Sequence, residues 1–551
     1  MLKYKKGGNK KIALIFGNIS GLKGYQIHAL ERIYRRRIPK DKIITTELAK
    51  YLANLSTEIG RQIGVIITRS GEISHVVVGD KKGIFIPDLS DYPLGRKPLR
   101  GLRFIHTHIK REPLNQDDIT DLSLLRFDLI AAISIKDSLP DNIYIAHLMP
   151  EKMEKTVVVL PPEDIYHLGI DFQAFVESLE EEMQRQRTFG PGDNRERAIL
   201  VSVSTKPRYE LEDSMEELKE LTDSSGVVIL DSVIQRPKQI NPKYLLGEGK
   251  LKELIINAMN KGATMLIFDQ DLTPSQIRSI SEMTELKVID RCQLILDIFA
   301  QRAHSRDGKV QVELAQLKYR LPRLTGKGTA MSRLTGGIGG RGPGEMKLEI
   351  DRRRVRDRIA LLERELKTLS EARRQRKHRR VEKGIPIVSI IGYTNAGKST
   401  LLNALTKSQT FVEDRLFATL DTSSRRLRFP REREIIITDT VGFIRDLPDD
   451  LFAAFRSTLE ELEDADLLIH LVDSSNPRFE QHISSVEKIL RELNLDNKPQ
   501  IIVFNKTDKI SQEERDALVR RFRAIAISAL DPTTFKPLLA AIEAHLWDGK
   551  T

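Results

Sequence analysis

The chain has 551 residues, with 89 Lys and Arg against 78 Asp and Glu, a net charge of +11 and a single cysteine, Cys292. At about 100 to 200 residues per domain, this length predicts three or four domains, each large enough to bury a core. One thiol cannot form an intramolecular disulfide, which excludes a disulfide-stapled secreted protein. No apolar run approaches the roughly 18 residues that cross a membrane, and the apolar stretch 12–16 is too short for a signal peptide. We therefore expect a cytoplasmic protein, and the excess of positive charge favours a polyanionic partner.

The first 305 residues predict two α/β domains. Residues 1–190 alternate short β-rich runs with helical stretches such as 46–59, which indicates an N-terminal α/β extension. Gly190-Pro191-Gly192 is typical of a linker. Residues 196–305 then alternate four expected strands with helical segments, a pattern of βαβ units and a mostly parallel sheet.

Residues 306–383 predict a helical hairpin with a basic loop. Val312, Leu314, Leu317 and Leu321 are expected to share one helical face, and apolar residues between 348 and 369 follow spacings of three and four. Between these stretches, residues 325–344 contain eight glycines and no acidic residue. Such a segment cannot bury a core, and its basic side chains, Lys327, Arg333 and Arg341, suit a phosphate backbone. A solvated linker is the alternative interpretation.

The remaining residues, 384–551, predict a P-loop GTPase domain. After the apolar strand 385–391 comes Gly392-Tyr393-Thr394-Asn395-Ala396-Gly397-Lys398-Ser399, followed by a helix from about Thr400. This order of strand, GxxxxGKS and helix is the context that a P-loop requires. The backbone NH groups and helix N-terminus face phosphate, Lys398 reaches the terminal phosphates, and the Ser399 hydroxyl coordinates Mg2+.

Three further motifs follow, each at the end of a predicted strand. The strand 435–438 precedes Asp439-Thr440-Val441-Gly442, where Asp439 can hold the metal through water and the Gly442 NH can sense the γ-phosphate. The strand 501–504 precedes Asn505-Lys506-Thr507-Asp508, and the Asp508 carboxylate can accept two hydrogen bonds from guanine that adenine cannot offer. The third motif, Ser528-Ala529, follows a short strand. Separately, Thr419 within 417–422 is the expected switch threonine, able to touch Mg2+ and the γ-phosphate.

These motifs, together with Leu334-Thr335-Gly336-Gly337-Ile338-Gly339-Gly340-Arg341, resemble the HflX family, Obg-related GTPases of the translation-factor class. The resemblance covers about residues 196–551 and implies a Mg2+-dependent GTPase that binds the 50S subunit and 70S ribosomes. It also implies that the loop 325–344 contacts rRNA, and that the protein splits or recycles stalled ribosomes; we expect a monomer. Many HflX proteins continue into a small C-terminal domain, whereas this chain ends at Thr551, so the resemblance leaves contacts of that domain open.

The expected site residues fall into three groups. Those expected to act in catalysis are Lys398, Thr419 and Gly442. Those expected to hold Mg2+ are Ser399 and Thr419. Those expected to bind the nucleotide are Thr394, Asn395, Ala396, Gly397, Lys398, Ser399, Thr400, Asp439, Asn505, Lys506, Asp508, Ser528 and Ala529.

Two positions raise questions of mechanism. Phe443 stands where Ras-like proteins place a water-orienting Gln, so we expect slow intrinsic hydrolysis and help from the ribosome; Arg445 or Asp446 could position the water instead. In the extension, His106, His108 and Asp118 resemble the metal ligands of JAB/MPN and RadC-like domains, with Glu58 as the expected base. A degenerate domain of that fold and unrelated surface histidines are the alternatives.

Two other functions remain open from the sequence. One is a GTP-switched ribosome-assembly or antiassociation factor with little turnover. The other is a metallohydrolase with a regulatory GTPase domain.

Overall fold

The computed structural model describes four regions of regular structure, which lie along the chain in the order extension, second α/β region, hairpin and P-loop region. The described residues are 14–81, 83–89, 91–94, 97–149, 157–185, 195–324, 352–369, 371, 385–406, 423–429, 433–440, 442–445 and 460–547. Among them, no helix combines the length and the apolar character needed to span a bilayer.

The extension is built on a mixed eight-stranded sheet with the order β1-β3-β2-β4-β5-β6-β7, and β8 pairs with β6. Its strands are β1 (Ile15–Gly17), β2 (Ile63–Thr68), β3 (Ile73–Val78), β4 (Leu102–His108), β5 (Leu129–Lys136), β6 (Leu139–Leu148), β7 (Val157–Val159) and β8 (Glu163–Asp164). Its helices are α1 (Gly24–Ile33), α2 (Thr46–Ile59), α3 (Gln116–Leu125) and α4 (Phe172–Arg185). Every residue of β4 is buried, because helices cover both faces of the sheet at its centre.

The second sheet is fully parallel, with the order β10-β9-β11-β12. Its elements alternate as β9 (Arg197–Val203), α5 (Arg208–Ser224), β10 (Val228–Gln235), α6 (Glu248–Asn260), β11 (Met265–Phe268), α7 (Pro274–Ser281), β12 (Lys287–Asp290) and α8 (Arg291–Arg302). The expected βαβ alternation is confirmed here.

Two helices follow, α9 (Arg306–Arg320) and α10 (352–369). Leu314 and Leu317 of α9 pack against Ile359, Leu362 and other apolar residues of α10. The prediction that Val312 shares this face is wrong, because Val312 packs into the core of the second domain. Helix α9 therefore has two apolar faces. The loop 325–344 and the basic run 373–380 lie outside the described residues.

The P-loop region carries a six-stranded sheet with the order β14-β15-β13-β16-β17-β18, in which β14 alone is antiparallel among the described strands. Its strands are β13 (Ile387–Gly392), β14 (Ser423–Arg428), β15 (Glu434–Asp439), β16 (Leu467–Asp473), β17 (Gln500–Asn505) and β18 (Ile525–Ala526). Its helices are α11 (Lys398–Thr406), α12 (Phe479–Glu492), α13 (Gln512–Phe522) and α14 (Lys536–Trp547). The carboxyl ends of the parallel strands meet at one edge, where a ligand is expected to bind.

Candidate nucleotide-binding site

Three of the predicted motifs meet at the carboxyl edge of the last sheet. Strand β13 ends at Gly392, β15 at Asp439 and β17 at Asn505. The register places Ile390 beside Asp439, and β13 and β17 both pair with β16. Motifs that are more than a hundred residues apart in sequence therefore face one site.

Two glycines of the P-loop have backbone geometry that excludes a side chain. Gly392 has φ +152°, and a Cβ there would lie 2.2 Å from the Leu471 carbonyl oxygen. Gly397 has φ +91°, and a Cβ there would lie 2.3 Å from Asn505 Nδ2. Asn395, at φ 60°, takes the left-handed conformation that Asn tolerates better than most residues. The loop then enters α11 at Lys398, so the helix N-terminus faces the loop, as anion binding requires.

Lys398 is buried and turned back onto the loop. Its Nζ donates to the carbonyl oxygens of Tyr393 at 2.8 Å and Gly392 at 3.2 Å. Burial lowers the pKa of Lys398 to about 8, although the Asp439 carboxylate acts in the opposite direction. A Cβ on Gly442 would lie 3.1 Å from Lys398 Nζ, so the structure brings these two predicted catalytic residues together.

The two described candidates for holding Mg2+ are in direct contact. Ser399 Oγ donates to Asp439 Oδ2 at 2.6 Å, and Asp439 is fully buried. A hydroxyl and a carboxylate are the hard oxygen donors that Mg2+ prefers, so these residues fit the ion. Thr419, the third candidate, lies outside the described residues.

Asn505 links the P-loop to the segment after β18. Its Nδ2 donates to the Ala396 carbonyl oxygen at 2.8 Å, and its Oδ1 accepts from the Ala529 NH at 2.8 Å. Ser528 Oγ donates to Asp508 Oδ1 at 2.7 Å and so fixes the rotation of the carboxylate expected to read guanine. These contacts join four of the predicted base-binding residues, Asn505, Asp508, Ser528 and Ala529, to one another and to the P-loop.

Lys506 has a partner that the sequence did not reveal. Its Nζ lies 2.8 Å from Asp473 Oδ2, at the end of β16. Asp473 belongs to no recognised motif, and only its position at a strand end beside β17 could have indicated it. Thr394 and Thr400 also lie in the P-loop and the first turn of α11, as expected.

The family follows from comparison with known proteins. Three family models match consecutive parts of the chain: "GTP-binding GTPase N-terminal" at 212–300, "GTP-binding GTPase Middle Region" at 302–380 and "50S ribosome-binding GTPase" at 387–506. The GTPase HflX of Caldanaerobacter subterraneus subsp. tengcongensis is 49% identical over 358 residues, which cover 64% of this chain and 81% of that one. The chain belongs to the HflX GTPase family.

A second HflX protein agrees with this assignment, and one solved structure is reported beside it. The Escherichia coli GTPase HflX is 42% identical over 322 residues, covering 58% of this chain and 75% of that one. A GTP-binding protein from Sulfolobus solfataricus, solved in complex with GDP, is 27% identical and covers 64% of this chain and 98% of that one, with a TM-score of 0.36. The HflX relatives and the family models together show that the chain is a GTPase with a P-loop domain within an α/β multidomain protein.

Phe443 of this HflX-family GTPase points into the protein core. Its side chain is 4% exposed and packs with Ile391, Leu462 and other apolar residues. Its backbone pairs with the P-loop, since Phe443 N donates to the Gly392 carbonyl oxygen at 3.1 Å and Thr394 N donates to the Phe443 carbonyl oxygen at 2.8 Å. A buried apolar ring cannot orient a water molecule by hydrogen bonding, so slow intrinsic hydrolysis stays the prediction. Asp446 lies outside the described residues.

The extension of the HflX-family chain holds a second cluster of polar side chains. The Nε2 atoms of His106 and His108 lie 3.0 Å apart, and the Asp118 oxygens lie 3.2 Å from the first and 3.6 Å from the second. Both histidines are buried on β4, and Asp118 is in the first turn of α3. The three potential ligand atoms lie within 4.8 Å of one another, so the structure assembles the predicted trio.

Glu58, the expected base, does not belong to this cluster. Thr107, between the two histidines, donates through Oγ1 to Ser56 of α2 at 2.9 Å. Successive side chains of a strand point to opposite faces, so α2 and its residue Glu58 lie on the face away from His106 and His108. The prediction of Glu58 as a base is therefore wrong. The similarity of residues 1–190 to JAB/MPN and RadC-like domains stays a prediction.

Proposed function

We propose that this HflX-family GTPase binds the large ribosomal subunit and 70S ribosomes in the cytoplasm and splits stalled ribosomes while it hydrolyses GTP. The observation that carries the proposal is the match of residues 387–506 to a family model described as a 50S ribosome-binding GTPase. The net charge of +11 supports it, because neutralising phosphates and releasing counterions drives binding to RNA.

The hairpin supports contact with rRNA. Helices α9 and α10 are joined by three ion pairs, Arg306 to Glu365, Lys318 to Glu363 and Arg358 to Glu313, each at 2.8 Å. At one end of the hairpin, Arg352 Nε donates to the Leu324 carbonyl oxygen at 3.1 Å. The last described residue of the first arm therefore contacts the first described residue of the second arm. Leu324 and Arg352, the described residues on either side of 325–351, thus lie together at the end of a braced pair of helices, which supports contact of the basic residues 325–344 with an RNA surface.

The chemistry proposed for the site assigns each group one task. Mg2+, held by Ser399, Thr419 and, through water, Asp439, would neutralise the charge that develops on the phosphates. The backbone from Gly392 to Ser399 and the Lys398 ammonium would stabilise the transferring phosphoryl group, and the Gly442 NH would sense it. Asn505, Lys506, Asp508, Ser528 and Ala529 would hold the guanine base.

Light scattering of 70S ribosomes tests this proposal. Substoichiometric protein with GTP is expected to dissociate the ribosomes repeatedly, whereas GDP leaves them intact. Dissociation that is equally complete with a non-hydrolysable GTP analogue and stops at one ribosome per protein would favour the GTP-switched assembly or antiassociation factor. The variant Arg333→Glu/Arg341→Glu is expected to lose splitting, and Arg185→Glu/Arg208→Glu, on exposed side chains of α4 and α5, is its charge-matched control. Unchanged scattering with GTP would contradict the proposal.

A second function, metal binding by the extension, is favoured by the geometry of His106, His108 and Asp118. His108 Nδ1 lies 3.0 Å from the Glu112 carbonyl oxygen, so an Nδ1–H donated there would leave the Nε2 lone pair facing the cluster. Two imidazoles and one carboxylate are a common zinc ligand set that leaves one position for water. The alternative is that the three side chains bind no metal and only form hydrogen bonds with one another.

Zinc content distinguishes the two interpretations. After equilibrium dialysis against Zn2+, the full chain is expected to retain about one ion, measured by elemental analysis, and His106→Ala and His108→Ala are expected to lose it. His167→Ala, whose side chain is 84% exposed, is the control and should retain the ion. Equal zinc in all four proteins would contradict a site at the trio.

A further inference from the structure

A buried ionic group joins the second α/β domain to the P-loop. Glu217 of α5 is 11% exposed, and its carboxylate lies 2.9 Å from Arg291 Nη2. Arg291 Nη1 lies 3.0 Å from Asp269 Oδ1 at the end of β11, so all three residues belong to the second domain. The carboxylate of Glu217 also accepts a hydrogen bond from the hydroxyl of Tyr393, the residue that follows Gly392 in the P-loop.

Tyr393 in turn holds the segment that follows Gly442. Its hydroxyl accepts a hydrogen bond from the Arg445 backbone NH at 2.8 Å, and Arg445 Nε lies 3.8 Å from Glu217. The Tyr393 ring stacks on His482 of α12, with centroids 3.8 Å apart and planes 2° from parallel. Its carbonyl oxygen accepts from Lys398 Nζ. One residue thus contacts the P-loop lysine, the segment 442–445 and the neighbouring domain.

The hydrogen bond between Tyr393 and Glu217 is charge-assisted. Burial alone would raise the pKa of Glu217, but Arg291 and the Tyr393 hydroxyl hold it below its usual value. Burial and the Glu217 carboxylate raise the pKa of Tyr393 well above its usual value. The proton therefore stays on the tyrosine and the negative charge on Glu217, which makes this bond stronger than one between neutral groups.

The surroundings of this bond are apolar on one side and polar on the other. The apolar core of the second domain continues onto Tyr393 and Ile444. Beside it, however, a cleft opens between the two domains, lined by Glu217, Glu220, Arg445, Arg478 and His482 among others. The polar contacts that line the cleft can therefore change while the apolar contact of Tyr393 and Ile444 with the second domain is kept.

We propose that Glu217 is a positioning residue through which the second α/β domain senses the nucleotide state of the P-loop domain. A γ-phosphate that accepts a hydrogen bond from the Gly442 NH would shift the segment 442–445. This shift would alter the length of the hydrogen bond from the Arg445 NH to the Tyr393 hydroxyl. The bond from Tyr393 to Glu217 passes this change to α5 and, through Arg291, to β11. Because coupling between sites is reciprocal, the second domain sets the relative affinity for the triphosphate and the diphosphate. The inference requires nucleotide binding alone and does not depend on ribosome binding.

The affinity ratio tests this coupling. Dissociation constants for GDP and for a non-hydrolysable GTP analogue would be measured by fluorescence with the full chain. Glu217→Gln keeps the shape of the side chain and is expected to change the ratio of the two constants by about fivefold or more. Tyr393→Phe keeps the ring stacked on His482 and is expected to change it in the same direction. The double variant should show no larger change than the stronger single variant, because both act on the same bond: Glu217→Gln removes its charge, and Tyr393→Phe removes the bond itself together with the one from the Arg445 NH.

Asp213→Asn is the matched control. Asp213 also lies on α5 and contacts the P-loop domain, with its Oδ1 2.7 Å from Arg478 Nη2, but it does not bond to Tyr393. A ratio that stays within about twofold of wild type in Asp213→Asn supports the specific role of Glu217. If Glu217→Gln and Tyr393→Phe lower the melting temperature but leave the ratio unchanged, Glu217 is merely structural and the inference fails. The same holds if Asp213→Asn changes the ratio as much as Glu217→Gln.

Discussion

Asp508→Asn is expected to lower the affinity for GTP by about 10^4-fold, because a site built to hydrogen-bond its substrate strongly rejects a partner that leaves buried groups unpaired. The carboxylate is expected to accept hydrogen bonds from N1 and the exocyclic amine of guanine. An amide would instead direct an NH2 group at that amine. Ser528 fixes the rotation of Asp508, so the side chain cannot easily turn to relieve the clash.

The same substitution is expected to create affinity for xanthosine triphosphate. Xanthine carries a carbonyl oxygen in place of the exocyclic amine, and the NH2 group of the introduced asparagine could donate to it. Titration with GTP and with xanthosine triphosphate measures this change of base specificity. Asp516→Asn, on an exposed side chain of α13, is the control. If Asp508→Asn bound GTP as well as wild type does, Asp508 would not be the residue that selects guanine.

Gly397→Ala is expected to weaken binding of GTP and GDP by about a hundredfold or more, because displacing a binding group by about 1 Å can have an effect of that size. The new Cβ would lie 2.3 Å from Asn505 Nδ2, and φ +91° is strained for any L side chain. The P-loop and Asn505 would have to separate, which would break the bonds of Asn505 to Ala396 and Ala529.

Titration calorimetry with GDP, together with the melting temperature, measures this effect. Gly249→Ala is the control, since a Cβ at this position of α6 meets no atom within 4 Å. It should bind nucleotide as wild type does and be equally or slightly more stable. Wild-type affinity in Gly397→Ala would mean that the loop can adapt, and that its glycine is not required for binding.

The parts of the fold that the sequence predicted well carry strong local signals. Helix 46–59 is confirmed in full, because Thr45 caps its start and Gly60, at φ 68°, ends it. The P-loop, Asp439 and Asn505 were predictable as neighbours because consecutive motifs followed β strands, and the ends of parallel strands meet.

Other features depended on tertiary contacts that no local pattern encodes. The bond between Glu217 and Tyr393 spans 176 residues, and Glu217 looks like any charged residue of an amphipathic helix. Val312 could not be assigned to a face, because α9 packs on two neighbours at once. Glu58 was misassigned because sequence spacing does not show which face of a sheet a helix covers.

The rate of GTP hydrolysis with and without ribosomes tests the central claim most directly. Because Phe443 is buried and cannot orient the attacking water, the protein alone is expected to turn over slowly. Purified 50S subunits or 70S ribosomes are expected to raise the rate by about 10^3-fold or more, the scale on which a partner completes a GTPase site. An unchanged rate, together with failure to co-sediment with either particle, would contradict a ribosomal function for this GTPase.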